Sequence, residues 1–168
     1  MRRIVLALAA AAMTIGIVAA PVAARTAPSP SIVDIAVSAA QQNPGEFKTL
    51  VAAVLAADPA VLSTLSRQRQ LTVFAPTDAA FAKLGLNAGN IGSLPQATLT
   101  KILAYHVVPG ARYAADVVAS TQLRTLSKGF LTVSLRDGAA YVNDSKIIAV
   151  NIKASNGVIH VIDSVLLP

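Results

Sequence analysis

The residues best suited to metal or acid–base chemistry are the two histidines, His106 and His160, because the 168-residue chain has no cysteine. Each lies in an apolar run, AYHVVPG or GVIHVIDSV. A zinc site would need both histidines to meet and to recruit further ligands. His160 and Asp163 are three residues apart on a predicted strand, so their side chains leave opposite faces. We therefore expect no metal site and no cofactor.

Catalysis by a nucleophile or by paired acids has little support in the sequence. No serine stands in a Gly-x-Ser-x-Gly pattern. The eight acidic residues stand singly, without the spacing of an acid–base pair. We expect no catalytic residue and no enzyme, and a hydrolase built from distant acids is a third alternative.

The apolar context of the histidines favours a structural role. Leu99, Ile102, Leu103 and His106 share one face of a predicted helix, so His106 should point into the core. A buried imidazole needs hydrogen-bond partners, and the hydroxyl of Thr77 and the carboxylate of Asp78 are the candidates. We predict a structural polar cluster of Thr77, Asp78 and His106, with His160 at its edge. His106→Leu should then lower stability.

The elements that position these residues divide the chain into a helical half and a strand-rich half. Ser31 and Asp34 form a predicted capping box, Asp58-Pro59 opens a later helix, and Thr77 caps a short one. LTVFAP is the first predicted strand. From Leu123 the pattern has period two and predicts two antiparallel hairpins, the second turning at Asn156-Gly157.

The N-terminus has the pattern of a secretory signal peptide. Arg2 and Arg3 precede an uncharged run over 4–20, and PVAA ends in small residues. We predict a signal peptide over 1–24, a linker over 25–30 and one domain over 31–168, with no membrane anchor after cleavage. The expected location is extracellular, secreted or loosely associated with the cell envelope.

The charge of the chain argues against nucleic acid as a partner. Its 14 basic residues, less Arg2 and Arg3, leave 12 against 8 acidic residues, a net charge of +4. Nucleic-acid proteins gather basic residues on one face with aromatics between them. Here the basic residues are dispersed and aromatics make up 4% of the chain.

Three segments, LTVFAPTDAAFAKL (71–84), ILAYHVVPG (102–110) and NGVIHVIDSVLLP (156–168), resemble in order the signature segments of the fasciclin-like domain family. The resemblance covers roughly 31–168, and its secreted, single-domain form is similar to the bacterial branch. It implies an α+β fold with two small β-sheets in a wedge, flanked by several helices. It also implies adhesion, matrix contact or cell-surface interaction without enzymatic activity.

The resemblance further implies a binding role for one segment. In animal members the Tyr-His segment and its apolar neighbours are associated with integrin binding, which corresponds here to Tyr105, His106, Val107 and Val108. We expect a contact surface made from loops and the outer side of this segment, on a monomer. The expected partner is a cell-surface or matrix protein, or an envelope polysaccharide. The alternative function is binding of a small apolar ligand or a cell-wall glycan.

Overall fold

A computed structural model describes residues 29–42, 46–67 and 70–168. The predicted signal peptide over 1–24 lies outside the described residues, as does most of the predicted linker. Within the described ranges no single helix is long and apolar enough to cross a membrane. Two consecutive helices, Lys48–Ala56 and Pro59–Ser66, pass that test only as a pair bent by 118°.

Six α-helices and seven strands form the described part of the chain. The helices are α1 (Ile32–Gln41), α2 (Lys48–Ala56), α3 (Pro59–Ser66), α4 (Asp78–Ala82), α5 (Gln96–Tyr105) and α6 (Ala114–Ala119). The strands are β1 (Leu71–Pro76), β2 (Val107–Pro109), β3 (Gln122–Arg124), β4 (Phe130–Arg136), β5 (Ala139–Val142), β6 (Ser145–Ala154) and β7 (Gly157–Ile162). A short 3-10 helix spans Ile91–Ser93.

The helix starts predicted from local sequence are confirmed. Ser31 and Asp34 form the capping box of α1, with the Ser31 hydroxyl accepting from the Asp34 N–H. Asp58 caps α3, whose first residue is Pro59. Thr77 caps α4 by accepting from the Ala80 N–H at 3.2 Å. Each of these signals acts within one helical turn, so sequence alone is enough to locate it.

The sheet differs from the expected pair of small sheets in a wedge. The strands form one sheet in the order β2-β1-β7-β6-β5-β4-β3. The ten-residue β6 is the reason, because β5 pairs with its start (Tyr141 with Lys146) and β7 pairs with it from Ile147 onward. The sheet is mixed, since β1 and β7 run parallel. β7 lies between β1 and β6 and is buried along its whole length, as its apolar faces predicted.

This sheet curls until its edges almost meet. The Leu126 N–H, just after β3, donates to the Val107 carbonyl of β2 at 2.8 Å. All seven strands contribute a side chain to the apolar core inside the curl, which also takes Val117 from α6 and Tyr105 from α5. A second core lies between helices α1–α5 and the other side of β1 and β7. We call these the inner core and the helical core.

The turn between β6 and β7 connects the helices to the sheet. Asn156 is 3% exposed, and its amide Nδ2 donates to the carbonyls of Leu65 at 2.6 Å and Arg67 at 3.2 Å, at the end of α3. Its Oδ1 accepts from the Ile32 N–H at the start of α1. Asn156 thus satisfies backbone groups that both helix ends leave unpaired.

Gly157 is required by the close approach of this turn to β1. A Cβ at this position would overlap the Leu71 carbonyl oxygen and lie 2.8 Å from its carbonyl carbon. These are backbone atoms of β1, the strand paired with β7, so they cannot move aside without disturbing the pairing of the two strands.

We expect Gly157→Ala to lower the free energy of unfolding by about 3 kcal/mol, the upper range for overpacking. Urea denaturation followed by circular dichroism measures it. Gly92→Ala is the matched control, since its Cβ would meet only the Ala56 Cβ at 4.0 Å. Equal stabilities for the two variants would contradict the close-approach argument.

Candidate functional site

The segment Tyr105–Gly110 lies at the end of α5 and along β2, where the two cores meet. Leu103 and Val107 belong to the helical core, and Tyr105 and Val108 to the inner core. The exposed fractions are 8% for Tyr105, 2% for His106, 3% for Val107 and 2% for Val108. In Tyr105–Gly110 only Pro109 is exposed. The four residues proposed to bind a partner are therefore packed inside the domain, with none of them more than 8% exposed.

His106 links α5 to the C-terminal residues. Its Nε2 accepts from the Leu166 N–H at 2.9 Å, so Nδ1 carries the ring hydrogen and donates to the Ile102 carbonyl at 2.8 Å. Burial lowers the pKa of His106 from 6.5 to about 4, against the opposing effect of the Ile102 hydrogen bond. The imidazole is thus a neutral structural group at physiological pH, as its place in the apolar stripe predicted.

The predicted hydrogen bond from His106 to Thr77 or Asp78 is wrong. Thr77 caps its own helix, α4. The Asp78 carboxylate accepts from the N–H groups of Lys48 at 3.2 Å and Thr49 at 2.7 Å, at the start of α2. The N-cap residue of α2 is Phe47, which has no capping side chain. Asp78 supplies that cap from 30 residues away, and a carboxylate there is favoured by the helix dipole.

His160 belongs to a separate polar network. Its Nε2 donates to the Arg112 carbonyl at 2.9 Å, and its Nδ1 accepts from the Asn151 N–H at 3.4 Å. The Arg112 N–H donates in turn to the Thr72 hydroxyl, which donates to the Gly110 carbonyl, both at 2.7 Å. Burial lowers the pKa of His160, opposed by the Arg112 hydrogen bond. The structure thus does not join His160 to Thr77, Asp78 and His106.

This network was not predicted from the sequence. In the sequence, Thr72 stands in the apolar strand pattern LTVFAP and Asn151 in a predicted hairpin, and neither pattern indicates a polar network. Asn151 has a φ of 61° and its Oδ1 accepts from the Ala114 N–H at the start of α6. An asparagine that interrupts the apolar run of β6 is a sequence signal for such an irregularity, because asparagine tolerates positive φ.

Tyr105 is also held by specific contacts. Its hydroxyl donates to the Phe130 carbonyl at 2.9 Å. Its ring lies against Gly129, where an added Cβ would be 2.6 Å from Cε2. The hydroxyl therefore fixes the end of α5 to β4. Within the described residues no group of three or more His, Asp or Glu side chains is arranged to hold a metal ion.

Comparisons with known proteins agree with this architecture. The Fasciclin domain family model matches residues 45–168. Protein sll1483 of Synechocystis sp. is 48% identical over 126 residues, which is 73% of this chain and 67% of that protein. Immunogenic protein MPB70 of Mycobacterium bovis is 37% identical over 133 residues, 77% of this chain and 67% of that protein. This chain belongs to the fasciclin domain family.

A solved structure has the same fold. The FAS1 domain pair of the insect cell adhesion molecule Fasciclin I matches with a TM-score of 0.66 at 19% identity. The match covers 84% of this chain and 52% of that chain. The family match begins after α1, yet α1 places Ile32 in the helical core.

The structural role of His106 makes stability depend on pH. Its pKa is about 4 in the folded protein and 6.5 in the unfolded chain, so the unfolded chain binds more protons between these values. Stability is therefore complete above pH 6.5 and falls as the pH drops toward 4, by about 3 kcal/mol from this group. His160 acts in the same direction.

We expect His106→Leu to lower the free energy of unfolding at pH 7 by about 1–3 kcal/mol, because the buried Leu166 N–H loses its acceptor. Between pH 7 and pH 4 the variant should lose less stability than the original protein. Urea denaturation at both pH values measures both effects. Unchanged or increased stability of the variant at pH 7 would contradict the structural role.

Proposed function

We propose that the protein is a secreted, non-enzymatic module for adhesion or surface interaction. The support is its family membership together with large apolar side chains that are exposed on the strands. Phe130 is 56%, Ile148 52% and Val150 45% exposed. Ile148 and Val150 are two residues apart on β6, and neighbouring exposed apolar side chains favour an interaction site. Fasciclin I, whose domain pair shares the fold, is described as a cell adhesion molecule.

The buried Tyr105–Val108 segment changes where the contact is expected. Because its side chains lie between the two cores, we place the contact on exposed strand and loop residues. The segment then acts by fixing α5, β2 and the C-terminal residues to one another. The proposed partner is a cell-surface or matrix protein, or an envelope polysaccharide.

Binding of a small apolar ligand is the second candidate. An apolar cavity lies between α1, α2, α3 and β1, with Leu50, Val54 and Leu65 among its lining residues. Its volume is about 70 Å³, whereas small-molecule sites usually begin near ~300 Å³. A ligand of ordinary size would have to separate the helices to enter this cavity. A larger groove of about 420 Å³ beside Lys101 and Leu167 is open to solvent and does not lie between the helices and the sheet, so we favour adhesion.

Adhesion of protein-coated beads tests the proposed function. Beads carrying the purified protein are offered host cells, matrix proteins and purified cell envelope, with a urea-denatured coat as the control. We expect saturable binding to one of these surfaces that is lost on denaturation, because the contact needs the folded strands. Binding no greater than that of the denatured coat on every surface would contradict adhesion and favour the ligand alternative.

A further inference from the structure

The outward side of β3–β6 is the part of the sheet that faces solvent. Side chains alternate along each strand, so Leu131 and Val133 of β4 enter the inner core while Phe130 and Thr132 point outward. The cross-strand registers extend this outward side over four strands. We call it the outer face and define it by six residues: Arg124, Phe130, Ser134, Arg136, Tyr141 and Lys146.

The centre of the outer face is a row across three strands. Tyr141 of β5 is directly opposite Ser134 of β4 on one side and Lys146 of β6 on the other. The Arg136 guanidinium carbon lies 5.4 Å from the centroid of the Tyr141 ring. The row thus brings together the phenol of Tyr141, the hydroxyl of Ser134 and the cations of Arg136 and Lys146.

The Ser134 hydroxyl is an unusual member of this row. Its Oγ is buried and has no hydrogen-bond partner, although buried hydroxyls are nearly always paired. Ser134 lies on the outer face, opposite Tyr141, but its Oγ is not accessible to solvent, so a ligand could reach it only after a neighbouring side chain moves.

The charges of the outer face favour an anionic partner. Arg124, Arg136 and Lys146 are cations, and Asp137 and Asp144 lie in the turns at its border. Arg136 is paired with Asp144 at 3.9 Å, but the Asp144 side chain is 96% exposed. Such exposed pairs contribute little, so a carboxylate of a ligand can replace Asp144.

We propose that the outer face binds an acidic polysaccharide, a polymer of sugars that bear carboxylate groups. Phe130 and Tyr141 present rigid aromatic surface to sugar rings, and Arg136 pairs with a carboxylate. Phe130 and Arg136 are six residues apart on β4, about 20 Å, which allows contact with several consecutive sugars. This inference rests on the proposed function and specifies its partner.

Binding of the purified protein to immobilised sodium alginate tests the inference, with dextran as the neutral polymer and poly-L-glutamate as a polyanion without sugars. We expect binding to alginate that weakens with salt, and weaker or no binding to the other two. Phe130→Ser should reduce the affinity for alginate about tenfold. Arg136→Gln should also reduce it, and Asp144→Asn should increase it by freeing Arg136.

Lys101→Gln is the matched control for Arg136→Gln, because it removes the same charge from an exposed position on α5. It should leave alginate binding unchanged. Phe130 has a largely exposed side chain, so Phe130→Ser should keep its thermal midpoint and its loss of binding will not reflect unfolding.

Two results would overturn the inference. One is equal affinity for alginate and poly-L-glutamate with no effect of Phe130→Ser, which would show attraction to any polyanion. The other is no binding to alginate by protein whose beads still adhere to a surface, which would leave adhesion in place and assign it to another partner. Failure of the beads to adhere as well would contradict the proposed function itself.

Discussion

The imidazole of His106 joins two parts of the chain that are 60 residues apart in sequence. It receives the Leu166 N–H on one nitrogen and donates to the Ile102 carbonyl with the other. Both bonds require the neutral ring with hydrogen on Nδ1. Helix α5 contributes to both cores, and the C-terminal residues follow the buried strand β7. This one neutral side chain therefore links the end of α5 to the residues that follow the sheet. Burial of the ring without charge is therefore the condition for this link.

The burial of the segment around His106 distinguishes residues that hold the domain together from residues that can meet a partner. The Tyr105–Val108 segment is buried, with Tyr105 and Val108 in the inner core and Val107 in the helical core. A segment that is easily recognised in sequence can therefore be a packing element, and the residues that meet a partner can lie in strands with an ordinary alternating pattern. On this chain the outer face has aromatic and cationic groups of the kind that are enriched at interfaces.

The sequence was informative where one turn of helix or one strand pattern determined the outcome. The caps at Ser31, Asp58 and Thr77 and the burial of His106 were predicted correctly for that reason. The hydrogen-bond partners of His106 were wrong because Asp78 caps α2 and the acceptor site is filled by a backbone N–H, which carries no sequence signal. The short elements β2, β3 and α6 and the parallel pairing of β1 with β7 depend on tertiary contacts. The unpaired hydroxyl of Ser134 becomes visible only when β4 and β5 are in register.

The most direct test of the central claim is a pH titration of the His106 ring by ¹⁵N NMR. The account predicts that the ring stays neutral, with hydrogen on Nδ1, as the pH falls from 7 toward 4. The Leu166 amide signal should change together with the ring at the pKa of about 4. A ring that titrates near its ordinary pKa of 6.5, or one with hydrogen on Nε2 at neutral pH, would contradict the bond to Leu166 and the structural role of this histidine.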